Sequence, residues 1–194
     1  PGGRTAHSRF KFPIDTTGGT HCRISKQSGL ARLIIDARLI VWDEVTMSNK
    51  SIVEALDELL RDLMNCDIVF GGKVVVLGGD FRQTLPIIRN ATKAEIISSC
   101  IVNSTLWPCF QTFHLTQTMR ALLDPTYTSF LLDIGDGTTT DDKKRIVALP
   151  HDLCIPYESE ETSLAKLINF VYPSLQPKNH QPLALHSHMI LTTK

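Results

Sequence analysis

Two short apolar runs, each ending in carboxylate, constrain this 194-residue chain more than any other feature. Arg38-Leu-Ile-Val-Trp42 runs into Asp43-Glu44, and Lys73-Val-Val-Val-Leu77 passes through Gly78-Gly79 into Asp80. Continuous β-branched runs bounded by turn residues read as strands buried on both faces, the habit of a parallel sheet. Between them Ile52, Val53, Leu56, Leu59, Leu60, Leu63 and Met64 recur at helical spacing, and Ser51 with Glu54 can form a capping box. A helix over Gln27–Asp36, with Leu30, Leu33 and Ile34 on one face, precedes the first run. Helix, strand, helix, strand in that order implies βαβ units, an α/β fold with helices flanking a parallel sheet.

Downstream the pattern predicts a helix over Thr92–Ser99 and a short strand over Thr112–Thr116. Asp124-Pro125 breaks the chain before a helix around Tyr127–Ile134, which ends at Gly135-Asp136-Gly137. A strand at Arg145–Leu149, a helix over Ser163–Tyr172, a loop with Pro173, Pro177 and Pro182, and a terminal strand Met189–Thr192 complete the reading. No internal repeat or low-complexity tract occurs.

Composition excludes several classes. With 42% hydrophobic and 21% charged residues the chain is an ordinary globular one, not disordered, collagenous or coiled-coil. Its length allows one domain and a remainder. Twenty bases balance twenty acids, which argues against coating nucleic acid or membrane by bulk charge. The balance is local, however. Before Leu33 the bases Arg4, Arg9, Lys11, Arg23, Lys26 and Arg32 face one acid, Asp15, whereas Asp133–Glu161 holds eight acids against three bases. Five cysteines without a C-x-x-C exclude a zinc ribbon and point to free thiols in a reducing compartment. There is no signal peptide, no apolar stretch near 18 residues and no lipidation motif, so a soluble chain is expected. It begins with Pro rather than Met and reads as starting partway through something longer.

The chemistry falls at the strand ends, where open parallel sheets bind ligands. An acidic pair after an apolar strand, here Asp43-Glu44, is the Walker B arrangement, in which one carboxylate organises magnesium and the other polarises an attacking water. Alone it is a weak signal, because many strands end in polar loops. Gly79-Asp80-Phe81-Arg82-Gln83 adds an amide, Gln83, able to reach a terminal phosphate or that water; a solvated loop is the plainer reading. Leu115-Thr-Gln-Thr-Met-Arg120 adds a guanidinium, Arg120, that would offset charge on a transferred phosphoryl group; taken singly it reads as a surface arginine. Three such elements in order, each after a strand, are hard to explain as accidents.

These segments, with Pro1-Gly-Gly-Arg-Thr-Ala-His-Ser-Arg-Phe-Lys-Phe-Pro-Ile14, Leu39-Ile-Val-Trp-Asp-Glu44 and Phe70-Gly-Gly-Lys-Val-Val-Val-Leu-Gly-Gly-Asp-Phe-Arg-Gln83, resemble the Pif1 family of DNA helicases, most closely its plant and Helitron-like branch. The resemblance covers nearly the whole chain. It implies a superfamily 1 motor moving 5′ to 3′ on single-stranded DNA, built of two RecA-like P-loop NTPase lobes with ATP in the cleft between them. Residues 1–111 would be a partial first lobe with motifs Ia, II and III, and 112–194 the start of the second, from motif IV onward. By the same resemblance Asp43 holds Mg2+, Glu44 is the general base, Asp80 and Gln83 line the nucleotide, Gln83 senses the γ-phosphate, and Arg120 is the arginine finger.

The first segment matches motif Ia, which places Thr5, His7 and Arg9 near the DNA strand, where backbone phosphates reward the basic excess. For His7 a capping or core role stands equally. Trp42, Phe81 and Trp107 are candidates to stack bases, although Trp42, within its strand run, reads as core. The implied partners are single-stranded DNA and duplex junctions, the implied processes repair, recombination and telomere maintenance, and the implied location the nucleus, with no membrane.

Departures accompany the matches. No G-x-x-x-x-G-K-[ST] occurs; the resemblance implies that the loop cradling ATP phosphates lies upstream of Pro1 and that the second lobe should continue beyond Lys194. Val45 stands where Ala is usual in the family and Thr118 where Asn is usual. The isolated chain is therefore expected to show little or no ATPase activity. The alternatives are a decayed transposon-derived remnant that at most binds DNA or a protein, and, ranked last, a small metal-dependent hydrolase using Asp43, Glu44 and Asp80.

Overall fold

The computed structural model describes residues 3–13, 22, 24–138, 140–141, 146–173 and 189–191. They fall in two compact units, Pro1–Asp136 and Gly137–Lys194.

In the first unit the Thr5 hydroxyl accepts from the Ser8 amide at 3.3 Å and starts helix α1 (Ala6–Phe10). Ser28 caps α2 (Gly29–Asp36) in the same way, accepting from the Ala31 amide at 3.1 Å. Strand β1 (Leu39–Trp42), helix α3 (Lys50–Met64) and strand β2 (Val74–Leu77) follow. The strands pair in parallel from Leu39 opposite Val74 to Trp42 opposite Leu77, with α3 as the crossover. The Lys73 ammonium donates to the Ile35 and Ala37 carbonyls, both at 2.8 Å, where it meets the C-terminal end of α2 and sets β2 against it.

The apolar stripe of α3 is the centre of the core. Val53, Leu56 and Leu60 are fully enclosed among Ala31 and Ile34 of α2, Phe10 and Phe12, Trp42 of β1, and Ile101 and Leu106. Burial of each such side chain contributes roughly 1.5–3 kcal/mol. One carboxylate lies inside this stripe. Asp57 is buried and accepts from the Phe70 amide and, at 2.8 Å, from Arg61 Nε. It thereby holds Phe70 and Gly71 at positive φ in the turn that leads into β2.

Several expectations are corrected. The capping box of α3 is not Ser51 with Glu54: Asn49 is the cap, accepting from the Ser51 amide at 3.0 Å, and Glu54 accepts instead from the Ser104 hydroxyl at 2.6 Å. A capping box forms at Thr92 and Glu95, at the start of α4 (Lys93–Ser99). The strand runs are not buried on both faces. Ile40, Val75 and Leu77 turn inward with Trp42, whereas Leu39, Val41, Val74 and Val76 are exposed, because the two-stranded sheet carries helices on one side only among the described residues. Residues 112–116 form no strand, having no ladder partner among the described residues. Helix α5 (Pro125–Asp136) begins at the proline itself, with the Asp124 carboxylate accepting from the Tyr127 amide at 2.9 Å.

In the second unit β3 (Thr140–Asp141) and β4 (Ile146–Val147) pair antiparallel, and α6 (Glu160–Val171) starts from a Ser159 cap. The terminal strand expected at 189–192 is absent at 189–191, which have no regular structure; Thr192 lies outside the described residues. The described cysteines are all free thiols.

Candidate functional site

The C-terminal ends of β1 and β2 lie side by side, and their outgoing loops are stitched together. The Gly78 amide donates to the Trp42 carbonyl, and the Val45 amide to the Gly78 carbonyl, both at 2.8 Å. Gly78 lies close beneath Asp43: a Cβ added there would come 3.3 Å from Asp43 Oδ1. Thr46, buried, clamps the second loop, its hydroxyl meeting both the amide and the carbonyl of Asp80 at 3.3 Å. Gly79 is required by that clamp, because a Cβ there would stand 2.7 Å from Thr46 Cγ2.

The carboxylates occupy this stitched edge. Asp43 and Glu44 are exposed, and Asp43 Oδ1 accepts from the Glu44 amide at 3.0 Å. Glu44 adopts φ 55°, ψ 35°, a left-handed conformation that a non-glycine residue rarely takes and that tends to cluster at functional positions. Asp80 orients the rest of its loop, with Oδ1 accepting from the Arg82 amide at 2.9 Å and Oδ2 from Gln83 Nε2 at 3.2 Å. The structure thus brings together Asp43, Glu44, Asp80 and Gln83, four of the residues expected from sequence.

The donor set suits a magnesium ion. Exposed carboxylate oxygens are hard ligands, and Mg2+ is usually held by one or two carboxylates plus substrate phosphates and water. Among the described residues no cluster of three or more His, Cys, Asp or Glu could hold a metal by itself.

The remaining expected residues lie elsewhere. Thr5 caps α1, a structural task. His7 is exposed and meets the edge of Phe12 at 5.8 Å, and Phe12 in turn stacks on Trp42 at 6.1 Å, so the α1 segment rests on the end of β1. Arg9 is half-buried on the same helix. Arg120 is exposed in a turn, and among the described residues no hydrogen bond or ion pair joins it to Asp43, Glu44, Asp80 or Gln83. Of the three candidate stacking aromatics, Trp42 is buried as expected, while Phe81 is exposed and meets Trp107 edge-on at 6.2 Å.

Two residues at this edge carry no signal in sequence reasoning. Thr46 resembles any loop threonine until its bonds to Asp80 are seen. Arg82 stands inside the Gly79–Gln83 segment, yet nothing local shows that its Nε binds Asp136 Oδ1 of α5 at 2.6 Å. That hydrogen bond first, and the Asp136 charge second, hold the guanidinium more firmly protonated than an ordinary arginine.

Parallel strands joined by a helical crossover define an α/β protein, whose strand-end loops here present carboxylates and an amide. The PIF1-like helicase family matches residues 1–145, and the chain belongs to that family. The ATP-dependent DNA helicase PIF1 of Xenopus laevis is 25% identical over 146 residues, and ATP-dependent DNA helicase Pif1 of Bdellovibrio bacteriovorus 29% over 147 residues. These alignments cover 74% and 72% of this chain, but only 22% and 31% of the relatives. The crystal structure of a Bacteroides Pif1 helicase in complex with ADP-AlF3 and ssDNA superposes with a TM-score of 0.62 at 23% identity, covering 93% of this chain and 45% of that one. The Pif1 helicase of Candida albicans gives a TM-score of 0.58 at 21% identity, covering 88% and 41%. The fold is thus the RecA-like α/β fold of these helicases, represented in part.

Proposed function

We propose that this chain supplies part of an ATP-dependent DNA helicase of the Pif1 type, which couples ATP hydrolysis to 5′ to 3′ unwinding. The observation that carries the reading is the stitched edge: Asp43-Glu44 and Asp80–Gln83 leave adjacent parallel strands and are tied at Val45 to Gly78 and at Thr46 to Asp80. In this reading Asp43 holds Mg2+, which supplies charge neutralisation at the phosphates. Glu44 accepts the proton of the attacking water. Gln83, oriented by Asp80, meets the γ-phosphate, and Arg120 reaches the same phosphate as an arginine finger. Thr5, His7 and Arg9 contact the DNA strand, and single-stranded DNA and duplex junctions are the partners. Residues 1–111 belong to a first lobe and 112–194 to the start of a second. Work in repair, recombination and telomere maintenance in the nucleus follows from the same kinship.

The chain has no G-x-x-x-x-G-K-[ST], so its ATPase activity in isolation is expected to be little or none. The test is a chimera in which this chain replaces the matching region of the Bdellovibrio relative. DNA-stimulated ATP hydrolysis with unwinding of a 5′-tailed duplex supports the proposal. A folded chimera that binds DNA but never hydrolyses ATP refutes it and favours a non-catalytic remnant.

A further inference from the structure

The Arg82 side chain leaves the loop that carries Gln83 and lies along the last turn of α5. Its Nε donates to Asp136 Oδ1 at 2.6 Å, and its stem packs on Gly135, where an added Cβ would stand 2.8 Å from Arg82 Cδ and 3.1 Å from Arg82 Cβ. The glycine is therefore a seat as well as a neighbour. On the loop side the backbone of Arg82 is held by Asp80, which accepts from the Arg82 amide and from Gln83 Nε2 with its two carboxylate oxygens. Asp80, Arg82 and Gln83 are thus bonded into one set, and Arg82 ties that set to Asp136, 54 residues away.

The geometry points to Arg82 as a positioning residue that latches the Gln83 loop to α5 through Asp136 and Gly135. The latch gains its meaning from the proposed helicase role: α5 lies in the part of the chain assigned there to the second lobe, yet it is compact with residues 1–111. A change imposed on Gln83 by a bound phosphate then reaches α5 through the Arg82–Asp136 pair, and displacement of α5 reaches Gln83 by the same route.

The test is amide hydrogen exchange on the 194-residue chain without nucleotide, reading residues 79–84, residues 125–136 and, as an internal control of folding, α3. Both side chains of the pair are about half exposed, so the link is modest. Arg82→Ala is expected to speed exchange in 125–136, and Asp136→Ala in 79–84, each about two- to fivefold with α3 unchanged. Arg82→Lys restores part of the protection, and the charge swap Arg82→Asp with Asp136→Arg restores most of it. Raising salt removes the protection from the wild-type chain but has no further effect on Arg82→Ala.

Unchanged exchange in 125–136 for Arg82→Ala overturns the latch, as does a swap that rescues nothing. Because no nucleotide is present, either failure leaves the helicase reading untouched. An inactive chimera, conversely, refutes that reading and leaves the latch standing.

Discussion

The Val45 amide donates to the Gly78 carbonyl at 2.8 Å, joining the loop after β1 to the loop after β2. That bond, with Thr46 against Asp80, turns two separate strand ends into one platform on which Asp43, Glu44, Asp80 and Gln83 are held. Backbone hydrogen bonds between the loops, together with the buried Thr46 hydroxyl, hold the platform, so Asp43, Glu44 and Asp80 keep their places without contacts between their carboxylates.

Gly79→Ala tests the platform. The added Cβ meets the buried Thr46 at its methyl, its hydroxyl and, 3.1 Å away, its backbone nitrogen, so the Asp80 loop has to move off. A loss of about 1–3 kcal/mol in urea unfolding is expected, together with faster amide exchange at 80–83. A variant as stable as the parent would show that the loop is not clamped.

Asp57→Ala removes the acceptor of the Phe70 amide inside the core and leaves that donor unmatched, while Arg61 loses one partner but keeps its bond to the Asp67 carbonyl. The expected cost is about 2–4 kcal/mol by the same measurement. Arg61→Ala, which deletes only the partly exposed partner, should cost distinctly less. Equal costs for the two variants would place the energy in the ion pair rather than in the hydrogen bond to the turn.

Cys22 gives a pH dependence. Burial, with a smaller contribution from the charge of Glu58, pushes its thiol up to about 11 from an ordinary 9.0. The unfolded chain therefore loses this proton first as pH rises. The stabilising preference for the thiol is intact below pH 9 and declines from pH 9 through about 11, a trend expected in urea midpoints and absent from Cys22→Ser. A midpoint with the same pH trend in both proteins would assign the effect to another group.

Local chemistry made much of this legible. The β-branched runs, the seven-residue apolar stripe of α3 and the carboxylates at the run ends carry their own pattern, and β1, α3, β2 and the Asp43-Glu44 edge follow from it. What escaped depends on partners distant in sequence. A strand run reads as buried on both faces whether or not a second layer covers it, so the exposure of Val41 and Val76 is invisible in the residues themselves. Residues 112–116 have strand character but no neighbour to pair with among the described residues. Asn49 outcompetes Ser51 for the α3 cap by starting the helix two residues earlier than the capping-box pattern suggests. The Arg82 to Asp136 pair spans 54 positions and has no periodicity to announce it.

The most direct measurement is single-stranded-DNA-stimulated ATP turnover in the chimera with and without Glu44→Gln, paired with nucleotide affinity. If Glu44 is the general base, kcat falls about 10²- to 10⁴-fold while affinity stays within about threefold, because only proton transfer in the transition state is lost. Turnover that survives Glu44→Gln undiminished would remove Glu44 from the chemistry, and with it the assignment of the β1 edge as a hydrolytic site.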